Sequence, residues 1–153
     1  MIARKFMNRQ VHSARIDERI RTVLARMRAE RLRMIPVLDE AGCIKGIFST
    51  FTVLERIMPP YIVEGDLDSV SYAPDMGMLS AHYAELSDKL VGEVMDTEPL
   101  IVHPEESLFA VAAELIRFGK HEFALVAGDR CHLEGIISAG DILNVLGDWQ
   151  GDV

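Results

Sequence analysis

The sequence predicts an α+β fold in which one β-α-β-β-α unit is used twice. Apolar positions between Met7 and Leu38 recur 88 residues later, and one extra residue then shifts the offset to 89. The clearest recurrence is Gly46-Ile47-Phe48-Ser49, which returns as Gly135-Ile136-Ile137-Ser138. A unit of roughly 55 residues repeated with its apolar positions in register indicates two similar supersecondary units. We therefore expect the two copies to share one core.

The first copy is predicted to run strand, helix, strand, strand, helix. Helical spacing of apolar residues places a helix at about 18–31, on Ile20, Val23, Leu24 and Met27. A hairpin of residues 34–49 follows, because turn-forming residues separate two short apolar runs. The closing helix is expected to reach about Met58, and residues 14–16 are the expected opening strand.

The second copy repeats this order. Its opening strand is predicted at 100–102, and its first helix at about 106–118. The hairpin covers 123–138 around a Gly-Asp-Arg turn, and a last helix runs from about Ala139 to Leu146.

A connector separates the copies. Pro59-Pro60 ends the preceding helix. Leu79, Tyr83 and Leu86 then have helical spacing and suggest one added helix. The predicted domains are repeat 1 at 1–58, the connector at 59–89, repeat 2 at 90–147 and a C-terminal tail at 148–153.

Composition and cysteine usage limit the class of protein. The chain has 153 residues, of which 49% are hydrophobic and 26% charged, as in ordinary globular proteins. No apolar run approaches the ~20 residues that a membrane helix needs. The start has no apolar stretch typical of a secretory signal, so we expect a cytoplasmic protein. Cys43 and Cys131 are accordingly expected to be reduced thiols, with a disulfide between them as the alternative.

The net charge of −8 is unevenly distributed. Residues 1–35 hold ten Lys/Arg against three Asp/Glu, and this basic head surrounds one helix. Its arginines could attract nucleic acid, an acidic partner or a membrane surface. The favoured alternative is a solvated helix face that complements acidic surface elsewhere. The arginines concerned are Arg15, Arg19, Arg21, Arg26, Arg28, Arg31 and Arg33.

The candidate site lies where the last strand meets the last helix. A strand delivers Ser138 to the sheet edge, and free N–H groups at the helix start, with its hydroxyl, suit a phosphate. Asp141, in the first turn, could accept hydrogen bonds from both hydroxyls of a ribose. The alternative is structural, because Ser-x-x-Asp at a helix start also resembles a capping box that needs no ligand.

Taken together, these motifs resemble the CBS domain, named for cystathionine beta-synthase, which occurs as tandem pairs called Bateman modules. The resemblance rests on Val94-Met95, on Ile35-Pro36-Val37-Leu38-Asp39 with Gly42, and on Gly-φ-φ-Ser-x-x-Asp (φ apolar) at 135–141. It implies two CBS repeats packed pseudo-symmetrically into one module. It also implies a regulatory role, with AMP, ADP, ATP or S-adenosylmethionine bound in clefts between the repeats. Modules of this family usually pair, which implies a homodimer.

The resemblance assigns roles to five residues of the second copy, and Lys120 adds positive charge close to them. Asp141 would hold the ribose and Ser138 the phosphate, with His121 and Lys120 as the basic residues nearby. Pro99 and Ile101 would flank the adenine.

The first copy departs from this pattern. Thr52 stands at the place of Asp141 and cannot replace its carboxylate. A site around Ser49 and Thr52 is therefore expected to be empty or weak, although Arg33, aligned with His121, could still bind an anion.

Catalysis finds little support in the sequence. Ser138 lacks the flanking glycines of a nucleophile elbow, and the histidines have no metal-ligand spacing. We therefore expect no enzyme, no metal and no cofactor, but a sensor of an adenosine compound, slightly favouring AMP, that acts on an unknown partner protein. The alternatives are a structural dimerisation or interaction module with a degenerate site, and a nucleic-acid binder that uses the arginine-rich helix. Nucleic-acid binding is the less favoured.

Overall fold

The structure is a computed structural model and describes residues 1–65 and 76–151. Two three-stranded sheets, each followed by a helix, confirm the predicted α+β fold. In chain order the elements are α1 Ala3–Phe6, β1 Ala14–Arg15, α2 Ile20–Ala29, β2 Met34–Leu38, β3 Ile44–Ser49, α3 Thr50–Ile57, α4 Pro60–Glu64, α5 Met76–Ser87, α6 Val91–Val94, β4 Ile101–Val102, α7 Leu108–Phe118, β5 Phe123–Ala127, β6 Leu133–Ser138 and α8 Ala139–Gly151.

The chain forms two compact units, and each has its own core cluster in place of the single shared core that the repeats led us to expect. The first-sheet unit comprises residues 13–39 and 45–97, and the second-sheet unit comprises residues 1–12, 40–44 and 98–153. No described helix is long and apolar enough to cross a membrane.

In the first-sheet unit the strand order is β1-β2-β3, with β1 parallel to β2 and Ala14 opposite Val37. Ile20, Val23 and Met27 lie on one face of α2 and are fully buried, as their spacing predicts. They belong to one core cluster that also includes Ile35, Val37, Phe48, Val53, Leu86 and Val91.

The second-sheet unit has the matching order β4-β5-β6. β4 runs parallel to β5, with Ile101 opposite Leu125, whereas β5 and β6 form an antiparallel hairpin. Helix α7 buries Leu108, Val111 and Leu115 on one face. The core cluster of this unit also contains Ala3, Met7, Val102, Ala124, Val126 and Ile137.

The segment that opens each repeat packs on the sheet of the other repeat. Asn8 and Ile136 exchange two backbone hydrogen bonds of 2.8 and 3.0 Å in the second-sheet unit. Asp96 and Ile47 exchange the equivalent pair, of 2.8 and 2.9 Å, in the first-sheet unit. We call residues 1–12 and 91–97 the exchanged segments.

The exchanged segments explain the recurring glycine. A Cβ on Gly46 would collide with the carbonyl oxygen of Asp96. A Cβ on Gly135 would lie 2.6 Å from Met7 Sδ and 2.8 Å from the carbonyl oxygen of Asn8. Any larger residue at either position would push the exchanged segment away from its sheet.

Several predicted boundaries need correction. Helix α2 is shorter than expected, since Arg31, with φ of 57°, follows its end in the left-handed region. The short helix α4 was not predicted. Helix α8 continues to Gly151, past the predicted end at Leu146 and into the predicted tail. Helix α5 lies where one was predicted in the connector, whereas connector residues 66–75 lie outside the described residues.

The extra residue of the second copy also lies elsewhere than predicted. Strands β2 and β5 already begin 89 residues apart, at Met34 and Phe123, because α7 has eleven residues and α2 has ten. The extra residue therefore belongs to the end of α7 and not to the hairpin. As a result Arg33 corresponds to Glu122, and not to His121 as the sequence alignment assumed.

The prediction of reduced cysteines is wrong in this structure. Cys43 and Cys131 form a disulfide, with their Cα atoms 3.8 Å apart. Residues 40–44 belong to the second-sheet unit, where the backbone N–H of Ile44 donates to the carbonyl of Arg130 at 2.6 Å. This long-range strand contact brings the two loops together, and sequence spacing did not reveal it.

Candidate functional site

The candidate site lies at the junction of β6 and α8 in the second-sheet unit. Ser138 is the last residue of β6 and lies opposite Phe123 in the antiparallel ladder. The N–H of Ala139, the first residue of α8, donates to the carbonyl of Glu122 at 3.0 Å. The hairpin therefore holds residues 120–122 beside the start of the helix.

Ser138 and Asp141 bind each other's backbone. The N–H of Ser138 donates to Asp141 Oδ2 at 2.9 Å, and the N–H of Asp141 donates to Ser138 Oγ at 3.1 Å. This reciprocal pair is the geometry of a capping box, so the structural alternative weighed from the sequence is realised here. The carboxylate of Asp141 can still accept further hydrogen bonds, because a carboxylate offers about four lone-pair sites. Both residues are half-buried.

The N–H groups at the start of α8 are already partly used. The N–H of the first residue, Ala139, donates to the carbonyl of Glu122. The N–H of the third residue, Asp141, donates to Ser138 Oγ. A phosphate at this junction would therefore find fewer donors than an uncapped helix start presents.

The basic residues predicted for the site lie on the connection between α7 and β5. Lys120 Nζ lies 3.7 Å from a carboxylate oxygen of Glu98 and 5.8 Å from the centre of the Phe118 ring. The ring of His121 is tilted against the same phenyl ring at 5.8 Å. Part of the positive charge near the junction is thus already compensated.

The apolar residues predicted to flank the adenine lead into β4. Because β4 is parallel to β5, and β5 is antiparallel to β6, Pro99 and Ile101 approach the end of the sheet at which Ser138 lies. The structure brings all six predicted residues to one end of the second sheet.

The first copy has a related but incomplete junction. The N–H of Thr52 donates to Ser49 Oγ at 3.1 Å, and the two hydroxyl oxygens are 3.0 Å apart. The N–H of Thr50 donates to the carbonyl of Arg33 at 3.0 Å, as Ala139 does to Glu122. Arg33, Ser49 and Thr52 are thus neighbours, but Ser49 is buried and no carboxylate takes the place of Asp141.

The basic head is largely engaged in contacts within its own unit. Both terminal nitrogens of Arg26 donate to the carboxylate of Glu18 at 2.8 Å, and this hydrogen bonding lowers the pKa of Glu18. Arg21 is ion-paired with Asp88, whose carbonyl accepts from Arg19 at 2.6 Å. These contacts favour a helix face that complements nearby acidic groups over a surface for nucleic acid.

Sequence reasoning missed a cavity of about 460 Å³ in the first-sheet unit. It lies between the end of α3, the two prolines and α5, and none of the predicted site residues lines it. Its lining residues are of common types without a motif, so no local signal could have revealed it.

Comparison with known proteins identifies the repeated unit. The family model described as CBS domain matches residues 3–59 and 91–148. The curated UPF0053 protein YugS of Bacillus subtilis is 28% identical over 116 residues, which are 76% of this chain and 26% of that protein. The chain therefore spans about a quarter of the length of this relative.

Solved structures share the fold. A CBS domain-containing protein of unknown function from Bacillus anthracis superposes with a TM-score of 0.74 at 19% identity, covering 97% of this chain and 94% of that one. The crystal structure of CBSX2 in complex with AMP gives a TM-score of 0.72 at 19% identity, covering 97% of this chain and 98% of that one. At these identities the similarity establishes the architecture.

Proposed function

Because the chain belongs to the CBS domain family, with one family match in each half, we propose that it is a regulatory module that binds an adenosine compound. The observation that carries the proposal is the junction of Ser138 and Asp141. It presents a half-buried carboxylate beside a helix start, at the sheet end where Pro99 and Ile101 offer apolar surface. A ribose offers two neighbouring hydroxyl donors to such a carboxylate, and an adenine offers a flat apolar face.

We propose one such site per chain. The first copy has Thr52 in place of the carboxylate, and the hydroxyl of Thr52 is already 3.0 Å from that of Ser49. A hydroxyl in that position cannot accept from two ribose hydroxyls as a carboxylate can.

Among AMP, ADP and ATP, AMP is the ligand that the local charge favours, and the titration below compares it with S-adenosylmethionine. Glu98 compensates Lys120, and two of the first three N–H groups of α8 are occupied. A single phosphate requires less positive charge than two or three do. The AMP complex of the structurally similar CBSX2 is consistent with this choice.

We further propose that the module is a homodimer without catalytic activity. It would act on a partner protein in the cytoplasm, where adenosine nucleotides report the energy state. The Cys43–Cys131 disulfide stands against that location, since reducing compartments keep most thiols unpaired. Counting free thiols in protein alkylated inside intact cells tests the location directly.

The test is a thermal-shift and calorimetric titration with AMP, ADP, ATP and S-adenosylmethionine. A ligand at about 100 times its Kd stabilises a protein by ~2.7 kcal/mol, which is roughly 5–10 °C in Tm at this size. Asp141→Asn retains an oxygen that can accept from Ser138 but loses the carboxylate, so we expect AMP binding to weaken at least ~10-fold.

Two controls separate ligand loss from damage to the fold. Thr52→Ala, at the equivalent position of the first copy, should leave the Kd for AMP unchanged. Ser107→Ala removes the cap that holds the Ala110 N–H at 3.1 Å, and should lower Tm without affecting AMP binding. Unchanged AMP affinity in Asp141→Asn would reject the proposed site.

An interaction module is the second candidate, and the outer face of α7 favours it. Phe109 and Ile116 are 89% and 81% exposed, and the residues 88 positions earlier on α2 are Arg21 and Arg28. An apolar helix face in one repeat and a basic one in the other are asymmetric features that a protein partner could recognise. If no adenosine compound binds, and Phe109→Glu abolishes self-association measured by light scattering, this candidate replaces the first.

A further inference from the structure

The cavity in the first-sheet unit has the dimensions and lining of a ligand site. Its volume of about 460 Å³ falls within the range of ~300–1,000 Å³ usual for small-molecule pockets. It is lined by Arg56, Ile57, Met58, Pro59, Pro60, Tyr61, His82, Glu85, Leu86 and Lys89. All ten lie in the first-sheet unit, so the cavity is separate from the junction of Ser138 and Asp141.

The charged groups at the cavity favour an anion. Arg56 and Lys89 contribute two positive charges against the single carboxylate of Glu85. Neither cation is ion-paired with another residue of 1–65 or 76–151.

His82 adds a fixed polar group to the wall. Its Nδ1 lies 2.9 Å from the carbonyl oxygen of Ile57, at the end of α3. A carbonyl only accepts, so Nδ1 of His82 is the donor in this hydrogen bond. The hydrogen bond also orients the imidazole, so that a ligand meets a ring whose position is already set.

The remaining wall is apolar and conformationally restricted. Ile57, Met58 and Leu86 supply aliphatic surface, and the prolines 59 and 60 restrict the backbone between α3 and α4. Tyr61, 66% exposed, presents a ring against which a flat group can stack. Such a wall suits the apolar body of an organic molecule, whereas a bare inorganic ion would gain nothing from it.

From these observations we propose that the cavity binds a small organic anion, distinct from the adenosine ligand. Arg56 and Lys89 hold its carboxylate or phosphate group, and its apolar or aromatic body lies between Tyr61 and the wall of α3 and α5. The inference stands apart from the proposed adenosine site, because the two sites share no residue.

The test uses nitrogen-15 NMR titrations of the full chain with phenyl phosphate, benzoate and phenol. We expect saturable shifts of the Tyr61 and Glu85 amides with at least one of the two anions, and none with phenol at equal concentration. The anion that binds tighter identifies the head group. The double variant Arg56→Gln/Lys89→Gln should weaken anion binding at least ~10-fold, as expected when charged hydrogen bonds are lost.

Matched controls keep the outcome decisive. Arg28→Gln removes an exposed cation of the same unit that does not line the cavity, and should bind the anions like the wild type. Asp141→Asn should also bind them normally, even if it loses AMP. The single variant Lys89→Gln replaces the double variant if the latter gives a poorly dispersed spectrum. Equal shifts with phenol, or wild-type anion affinity in a folded charge variant, would overturn the proposal.

Discussion

Reduction of the Cys43–Cys131 disulfide should remove a large part of the stability of the fold. The two cysteines are 88 residues apart in sequence. In the chain-entropy treatment, opening a loop of that length restores about 15 cal/mol/K to the unfolded chain, or about 4.6 kcal/mol at 25 °C. For a chain of this size, each kcal/mol corresponds to about 2–4 °C. The expected fall in Tm is therefore roughly 9–18 °C.

Differential scanning calorimetry with and without reductant measures this effect. Complete reduction is verified by counting thiols in guanidinium, where two should react after reduction and none before. The variant Cys43→Ser/Cys131→Ser should melt at the temperature of the reduced wild type and should not respond to reductant. The substitutions do not alter the backbone groups of Ile44 and Arg130, so the variant can still form the hydrogen bond between them.

Two results would refute this reasoning. A fully reduced protein whose Tm falls by less than about 3 °C would show that the cross-link restricts the unfolded chain far less than its length implies. Two reactive thiols in the untreated protein would show that the pair is open in solution.

Three further predictions concern single residues. Gly46→Ala should cost about 2–3 kcal/mol in urea unfolding, because its Cβ meets a backbone oxygen, whereas Gly128→Ala, with nothing within 4 Å, should cost little; equal costs would contradict this. Arg31→Gly should stabilise by about 0.5–1 kcal/mol, since φ is 57°; a lower Tm would exclude relief of strain. Burial, with the nearby Glu114 carboxylate, raises the pKa of Glu106, so its ionisation above pH ~4.5 weakens the fold. Glu106→Gln should therefore raise Tm at pH 7.5 and not at pH 4, and a uniform shift would reject this cause.

Local patterns in the sequence predicted the fold well where the determinants are close together along the chain. The buried face of α2 follows from the spacing of Ile20, Val23 and Met27, and a helix spans Met76–Ser87 where spacing placed one. The left-handed Arg31 was not predictable, because arginine carries no turn signal. The alignment of Arg33 with His121 was wrong for a related reason. One added residue at the end of a helix leaves the pattern of apolar residues intact, so the pattern did not reveal it.

The features that could not be predicted depend on contacts between distant parts of the chain. The recurrence of Gly46 and Gly135 was visible, but its reason depends on Asp96 and Asn8, which approach from distant parts of the chain. The contact between Ser138 and Asp141 could be predicted because it spans only three residues. The cavity beside His82 could not be predicted, because its walls include residues far apart in sequence, such as Ile57 and His82, which are 25 residues apart.

Because of the exchanged segments, the repeated unit of sequence does not coincide with the compact unit of structure. A fragment of residues 1–59 would carry a complete family match, yet it would lack the 91–97 segment that covers Gly46. A fragment of residues 13–97 would instead contain the whole first-sheet unit in one continuous chain. The second-sheet unit is not continuous in this way, because it combines residues 98–153 with residues 1–12 and with residues 40–44, which carry Cys43. The boundaries of the compact units therefore fall after residues 12 and 97, inside the repeats and not between them, and a protein engineer who divides the chain should cut it there.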